Sequence, residues 1–389
     1  MTLSATEGRT QAAELAERVG AETAAVHAAD VDRQSRFPVE AIDEIRSAGL
    51  LSAMIPERLG GGGAGLVEIA DATFALARHC ASTAMIFAMH QLQIACLVRH
   101  GSNDFLEQYL RDVAQHQLLI GSATTERGVG GDTGSSVCAV NRTNGRYNLE
   151  KFAPVISYGR YADSILLTAR RTPESPPHDQ VMVLCMPPGL LLEQTNGWNA
   201  MGFRGTCSSG FRVVAEGDEN GVVPDPFDVI AAQTNTPAAH ILWTHVWLGL
   251  AAEATYQARA YVQGEARKRP GETPASARAL ARLDTVYMQM AALVRESASS
   301  LEATWKSNVP VSSIGSTATA NALKVSASTL VVEIVGQALN VCGMAGYMED
   351  SPFSMGRILR DSYGAALMIN NDRLLDNNAR LLLMDKRTL

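Results

Sequence analysis

The sequence predicts an α+β protein in three parts: a helical N-terminal part over residues 1–118, a β part over 119–226 and a helical bundle over 227–389. Three observations predict it. Residues 70–98 are an almost unbroken run of helix-forming Ala, Leu, Met and Ile, apolar around most of the circumference. Short apolar runs divided by Gly and Pro fill the middle of the chain. Long Ala-rich stretches with little Gly or Pro follow.

The elements follow in order. Phe37-Pro38 opens a helix, since proline suits the first helical turn. Val39, Ile42 and Ile45 then recur on one face, and Gly49 supplies the stop. Leu59 and the four glycines after it read as a loop. No Lys-Ser/Thr follows, so a phosphate-cradling loop is disfavoured. In the middle part, Val137 to Val140 is followed by Asn144-Gly145, a strong hairpin-turn signal. Residues 164–169 and 180–186 have strand length and strand composition. Helix returns over residues 241–265 and is broken at Arg267-Lys268-Arg269-Pro270-Gly271. Further helices are expected over 275–307, 316–341 and 374–383.

Composition excludes some functions. The 389 residues are 46% hydrophobic and 19% charged, with a formal net charge of -7. A mildly acidic surface argues against nucleic acid as a partner, because phosphate binding needs a concentrated basic face. The six cysteines form no CxxC pair and no His pair has zinc spacing, so no metal is expected and the thiols read as reduced and mostly buried. Residues 1–22 are Ala/Glu-rich without the apolar core of a signal peptide. The most apolar stretches, such as residues 241–252, read as too short to span a bilayer. A cytoplasmic protein without a membrane partner is expected.

Several strings resemble the acyl-CoA dehydrogenase superfamily in order and spacing over nearly the whole chain. They are Phe37-Pro38 through Ile55-Pro56-Glu57-Arg58-Leu59-Gly60-Gly61, then Thr124-Thr125-Glu126-Arg127-Gly128-Val129-Gly130-Gly131-Asp132. The others are Trp198 with Met201 to Ser208, Gly343-Met344-Ala345-Gly346-Tyr347, and Arg360-Asp361. The resemblance implies an acyl-CoA dehydrogenase-like fold, a flavin (FAD, with FMN as the alternative), an acyl thioester substrate, and an electron-transfer flavoprotein or oxygen as acceptor. It also implies a homo-oligomer, dimer or tetramer. By resemblance, Ser122, Thr124, Thr125, Gly130 and Gly131 contact the flavin and frame the thioester. Val155-Ile156-Ser157 stands for a second flavin-facing strand, where Ser157 offers its hydroxyl. The family's diphosphate site implies Arg267 or Arg269, together with Asn340 or Gln337, beside Gly343. The strict position of the family's arginine is Glu265.

The largest departure concerns the base. Dehydrogenation needs a carboxylate over the thioester to remove an α-proton as hydride leaves for the flavin. The two positions at which relatives carry that Glu are Ile369 and Ala239 here. His240 and Asp372 are the candidate substitutes, with His90 behind them; His240 and His90 read equally as packed histidines and Asp372 as a helix cap. Three readings follow: an acyl-thioester dehydrogenase, a flavin monooxygenase or N-hydroxylase of the same fold, and a non-catalytic flavin or acyl-thioester binder. Oxygen-using relatives of this fold lack the Glu, because their chemistry asks for a protected pocket rather than a base. Arg204 is a candidate for contact with CoA.

Overall fold

The computed structural model describes residues 11–307 and 314–384, so part of the N-terminal segment read above for targeting lies outside the described residues. The N-terminal part holds α1 Gln11–Val19 and α2 Ala25–Gln34, joined by one wide helical turn, then α3 Val39–Ser47, α4 Leu66–His79, α5 Ala81–His100 and α6 Asp104–His116. Pro38 sits at the N-cap of α3, just before the turn expected to contain it. Gly49 takes φ 72° after that helix, a left-handed backbone that glycine adopts without strain. The single helix expected over 70–98 is two helices. Cys80, with φ -146° and ψ 106°, is extended and breaks the run between α4 and α5. All of α5 is buried except Met89, Val98 and Arg99. Two of its polar residues tie it to neighbouring segments: Gln91 Nε2 donates to Leu50 O at 2.7 Å, and Ile120 N donates to His90 Nδ1 at 3.0 Å.

The middle part is two sheets. A three-stranded sheet has the order β1 Ile120–Ala123, β4 Ser164–Arg170, β5 Gln180–Cys185, with β1 and β4 parallel and β5 antiparallel. An antiparallel sheet has the order β2 Asn141–Thr143, β3 Arg146–Ala153, β7 Phe211–Asp218, β6 Leu190–Gln194. Asn144 and Gly145 turn the β2–β3 hairpin at positive φ, as their pairing predicts. The run at Val137 to Val140 forms only a bridge, Ala139 to Arg170, rather than a strand. β4 and β5 read as continuous apolar runs because both faces are covered. Ile165, Leu167, Val181 and Val183 pack toward the second sheet, while Leu166, Met182 and Leu184 join the helical core.

The C-terminal part holds α7 Phe227–Ile230, α8 Thr236–Lys268, α9 Ala277–Lys306, α10 Ile314–Cys342, α11 Met344–Tyr347, α12 Gly356–Gly364 and α13 Asn371–Met384. Pro237 lies in the first turn of α8, which therefore begins before the expected apolar run. This helix packs against α4, α5, α9 and α10 and is the centre of the molecule. The expectation that the apolar stretches are too short for a bilayer is corrected: α5 and α10 both have the length and composition to cross one. In α5 the apolar window is 89% buried within the protein, as in a core helix, whereas in α10 it is 44% buried.

Of the buried histidines, His90, His240 and His245 are the most deeply enclosed. Burial pushes each down to about 4, from an ordinary value of 6.5. Between pH 6.5 and 4 the unfolded chain therefore binds protons that the folded chain refuses. Their contribution to stability is complete above 6.5 and is lost as the pH falls toward 4. Thermal melts should show the midpoint falling over that window, and His90→Gln should make the fall shallower than in the parent protein.

Candidate active site

A cavity of about 520 Å³ lies where the three parts meet. Met85, Met89 and Leu92 of α5 form one wall at helical spacing. Ser122 of β1 enters from the middle part, followed by Thr124 and Thr125 just beyond the strand end. Ala239 and Trp243, one turn apart on α8, form the opposite side, and Leu367, Met368 and Ile369 close it from the segment between α12 and α13. The lining is mostly apolar, with hydroxyls concentrated on the middle part.

The loop bearing the hydroxyls is anchored from below. Thr125 Oγ1 donates to Val155 O at 3.1 Å, joining the two segments that resembled flavin-facing ones. The next residue, Glu126, is buried, and its Oε1 accepts from Cys138 N at 2.6 Å. Lys151 points inward from β3, fully buried, 3.4 Å from Glu126 Oε2, and donates to Thr168 O at 2.6 Å. Burial lowers the Lys151 pKa, opposed by the Glu126 charge. Burial likewise pushes the Cys138 thiol up to about 12. Breaking such a buried pair from one side costs roughly 3–5 kcal/mol.

The segment opposite is held by a second buried lysine. Ile369 has φ 56°, a left-handed backbone that a β-branched residue adopts only under constraint. Lys324 on α10 supplies the constraint. Its Nζ donates to Ile369 O at 2.5 Å and to Asn371 Oδ1 at 2.8 Å, while the ammonium lies 5.8 Å from the centre of the Trp247 ring. Burial lowers its pKa to about 8.

Of the residues singled out in the sequence, Ser122, Thr124, Thr125, Val155 and Ser157 line the cavity together. Ile156 does not; it is buried between the sheets. Gly130 and Gly131 lie in an exposed turn at φ 60° and 78°, off the cavity wall, and their carbonyls accept hydrogen bonds from Arg373 of α13. Arg267 is exposed at the end of α8, where Glu265 pairs with Lys268 at 2.8 Å. Asn340 is exposed near the end of α10, and Gly343 turns the chain at φ 56° before α11. None of these three lines the cavity.

The candidate bases are also placed outside it. His240 follows Ala239 by one helical step and so faces into the bundle, where its Nδ1 lies 3.0 Å from Ala320 O. Asp372 is exposed at the start of α13, its backbone N–H donating to Asn370 Oδ1 at 2.8 Å. His90 has both nitrogens occupied, the second 2.7 Å from Leu51 O. Ala239 and Ile369, which the sequence resemblance sets at the family's two base positions, both line the cavity. Arg204 donates to Asp32 O and Ala200 O, each at 2.8 Å, and does not line the cavity. Arg360 and Asp361 do not pair with each other. Arg360 binds Asp32 at 2.9 Å, and Asp361 accepts from Phe203 N at 2.6 Å. Trp198, Thr206 and Ser208, to which the string already quoted assigned no role, also line the cavity, as does Trp243, which the sequence did not single out. An indole or hydroxyl facing inward carries no local signal; its direction depends on tertiary packing.

Lys324→Met keeps the length of the side chain and removes its donors. Unfolding in denaturant should show a loss of about 2–3 kcal/mol, since buried oxygens lose a charged partner. Limited proteolysis should cut the variant faster between residues 366 and 371.

With the site described, the comparisons with known proteins are specific. The model of the acyl-CoA dehydrogenase N-terminal domain matches residues 6–117, and that of the acyl-CoA dehydrogenase C-terminal domain matches residues 230–368. The probable acyl-CoA dehydrogenase fadE25 of Mycobacterium leprae is 35% identical over 111 residues, a stretch spanning only 28% of this chain and 28% of that relative. The dibenzothiophene monooxygenase of Rhodococcus qingshengii is 24% identical over 337 residues, 79% of this chain and 80% of the relative. Among solved structures, FMN-bound TdsC from Paenibacillus sp. A11-2 has a TM-score of 0.85 at 19% identity, covering 96% of this chain and 98% of that one. Butyryl-CoA dehydrogenase from Megasphaera elsdenii has 0.83 at 20%, covering 98% and 100%. The two structural likenesses show the same fold and do not separate the two chemistries. The two domain models, in order and on either side of the β part, decide the identity: the chain belongs to the acyl-CoA dehydrogenase family of flavoenzymes.

Proposed function

We propose that this protein is a flavin-dependent monooxygenase acting on a small, neutral, largely apolar substrate. One observation carries the reading: Ala239 and Ile369 both line the cavity, and by resemblance these are the positions where dehydrogenases of the family hold their base. The cavity then has walls suited to an apolar molecule and no carboxylate at either place to take an α-proton. Arg360, the guanidinium on the lining, is committed to Asp32, which supports a neutral substrate over an anionic one. The 24% identical relative spanning most of this chain bears a monooxygenase name, which agrees.

The residues present fit a flavin. Ser122, Thr124, Thr125 and Ser157 set hydroxyls along one wall, where the polar edge of an isoalloxazine ring can be met without bulk. When bound and reduced, the flavin supplies electrons with which dioxygen gives one oxygen atom to the substrate and the other to water. The chain itself binds, orients and keeps water out: α5 and residues 367–369 present carbon to the substrate, and the anchored Thr124-Thr125 loop holds the ring edge. Glu265, at the position of the family's diphosphate arginine, favours FMN over FAD.

A second reading is dehydrogenation of an acyl thioester, with electron-transfer flavoprotein or oxygen as acceptor. The 35% identical relative with a dehydrogenase name favours it, as does Asp228, an exposed carboxylate at the cavity edge. A homo-oligomer is supported by the apolar α10, less than half buried, and by exposed Met344, Tyr347 and Met348 beside it. A cytoplasmic location is supported by six free cysteines, five of them buried.

The test supplies the flavin-loaded protein with NAD(P)H, a flavin reductase and isotopically labelled dioxygen, over a panel of aromatic heterocycles and organosulfur compounds. Incorporation of one labelled oxygen atom is expected. Anaerobic loss of flavin colour with an acyl-CoA, without any oxygenated product, would replace this reading with the second, and Asp228→Asn would then abolish it. Ile369→Glu should lower kcat/KM for the apolar substrate by about tenfold or more, because it sets a carboxylate against the substrate's carbon surface.

A further inference from the structure

We infer that Gln93 selects the substrate, its amide oxygen accepting a hydrogen bond from a hydroxyl carried on an otherwise apolar ring. The inference rests on the reading above of an apolar substrate in this cavity, and it names the polar group which that substrate bears.

Gln93 stands on the side of α5 that forms the cavity wall. It follows Met85 and Met89 at steps of four residues, so the three share one stripe of the helix, and all three line the cavity. Gln93 is the polar member of that stripe, and it is fully buried. Its Nε2 donates to Met89 O at 3.3 Å. A backbone carbonyl can only accept, so this bond fixes which end of the amide carries the nitrogen. Oε1 is the other end, and it accepts from no donor among the described residues. Asn235, another amide on the lining, donates to Cys96 Sγ at 3.6 Å rather than to Gln93.

Among the described residues, the buried side-chain polar atoms without a partner include two on residues that line the cavity. One is Gln93 Oε1, an acceptor on α5. The other is Trp243 Nε1, a donor on α8, which forms the opposite side. A buried polar group left unpaired is costly, and an occupant that pairs it is favoured over one that does not. The lining therefore asks for a donor toward α5 and an acceptor toward α8. A hydroxyl has one hydrogen and two lone pairs, so a single group on a ring offers both. A bare hydrocarbon offers neither, and a thioether has no hydrogen to give. A carboxylate likewise has none, and it brings a charge that Arg360, already bound to Asp32, is not free to meet.

The test is equilibrium dialysis at neutral pH with two probes of the same ring, 2-naphthol and naphthalene. The protein is loaded with oxidised flavin and no reductant is present, so nothing turns over. The parent is expected to hold 2-naphthol about five- to tenfold more tightly than naphthalene, the scale of one hydrogen bond. Gln93→Met keeps the length of the side chain and removes the acceptor. It should hold naphthalene at least as well as the parent does and lose the preference for 2-naphthol. A parent that holds the two equally, or favours naphthalene, overturns the role of Gln93 and leaves the apolar-substrate reading standing. A Gln93→Met protein that keeps the preference does the same. If neither probe binds, the inference and that reading fall together. A protein that takes up neither FAD nor FMN removes the flavin reading alone, since the same dialysis on it still decides Gln93. Should Gln93→Met not fold, Gln93→Asn carries the test by drawing the oxygen back one methylene: loss of the preference supports the inference, and its retention overturns it.

Discussion

The other parts of the protein depend on one close helix contact. At Gly249 the backbone of α8 lies so near α4 that an added Cβ would sit 2.4 Å from Ala77 Cβ and 2.9 Å from Phe74 O. Only glycine permits that approach. Once α8 is seated there, its N-terminal turns present Ala239 and Trp243 to the cavity and His240 to the bundle. The same helix supports α9 and α10, and through Lys324 of α10 it determines where residues 366–371 run.

Two buried lysines then do what apolar packing alone does not. Each leaves water: Lys151 donates to Thr168 O of β4 and pairs with Glu126, the residue after the Thr124-Thr125 loop, and Lys324 donates to the oxygen of Ile369 on the cavity wall. A directional bond fixes a loop in one register, where contacts among Leu and Met tolerate sliding. The apolar cavity is thus bounded on two sides by segments held by hidden charge.

Much of the fold was legible because its signals are local. Asn144-Gly145 dictates a hairpin through the φ values those residues accept, and the apolar runs of β4 and β5 reflect burial on both faces. The break at Cys80 was not legible, because neither it nor its neighbours are Gly or Pro and the interruption comes from how α4 and α5 pack. The cavity was half legible. Ser122, Thr124, Thr125 and Ser157 stand in strings that carry the family likeness. Met85, Trp198 and Trp243 face the same space only because tertiary packing turns them there. Asn340 and Gly343 belong to a segment that no part of the single chain's cavity reaches. The placement of His240 was within reach of elementary geometry, since one residue along a helix is a rotation of about 100° and Ala239 already occupied the inward direction.

Arg373 gives the cavity an asymmetry in how it exchanges its contents with solvent. It crosses from α13 to grip the carbonyls of Gly130 and Gly131, in the turn that leads to Thr133 and Gly134 at the cavity. Nothing in that grip is buried, so water can replace it bond for bond. The wall behind Ile369 has no such alternative, because its donor is an interior ammonium. One side of the chamber is a fixture and the other a fastening, and ligand traffic belongs to the side that water can unfasten.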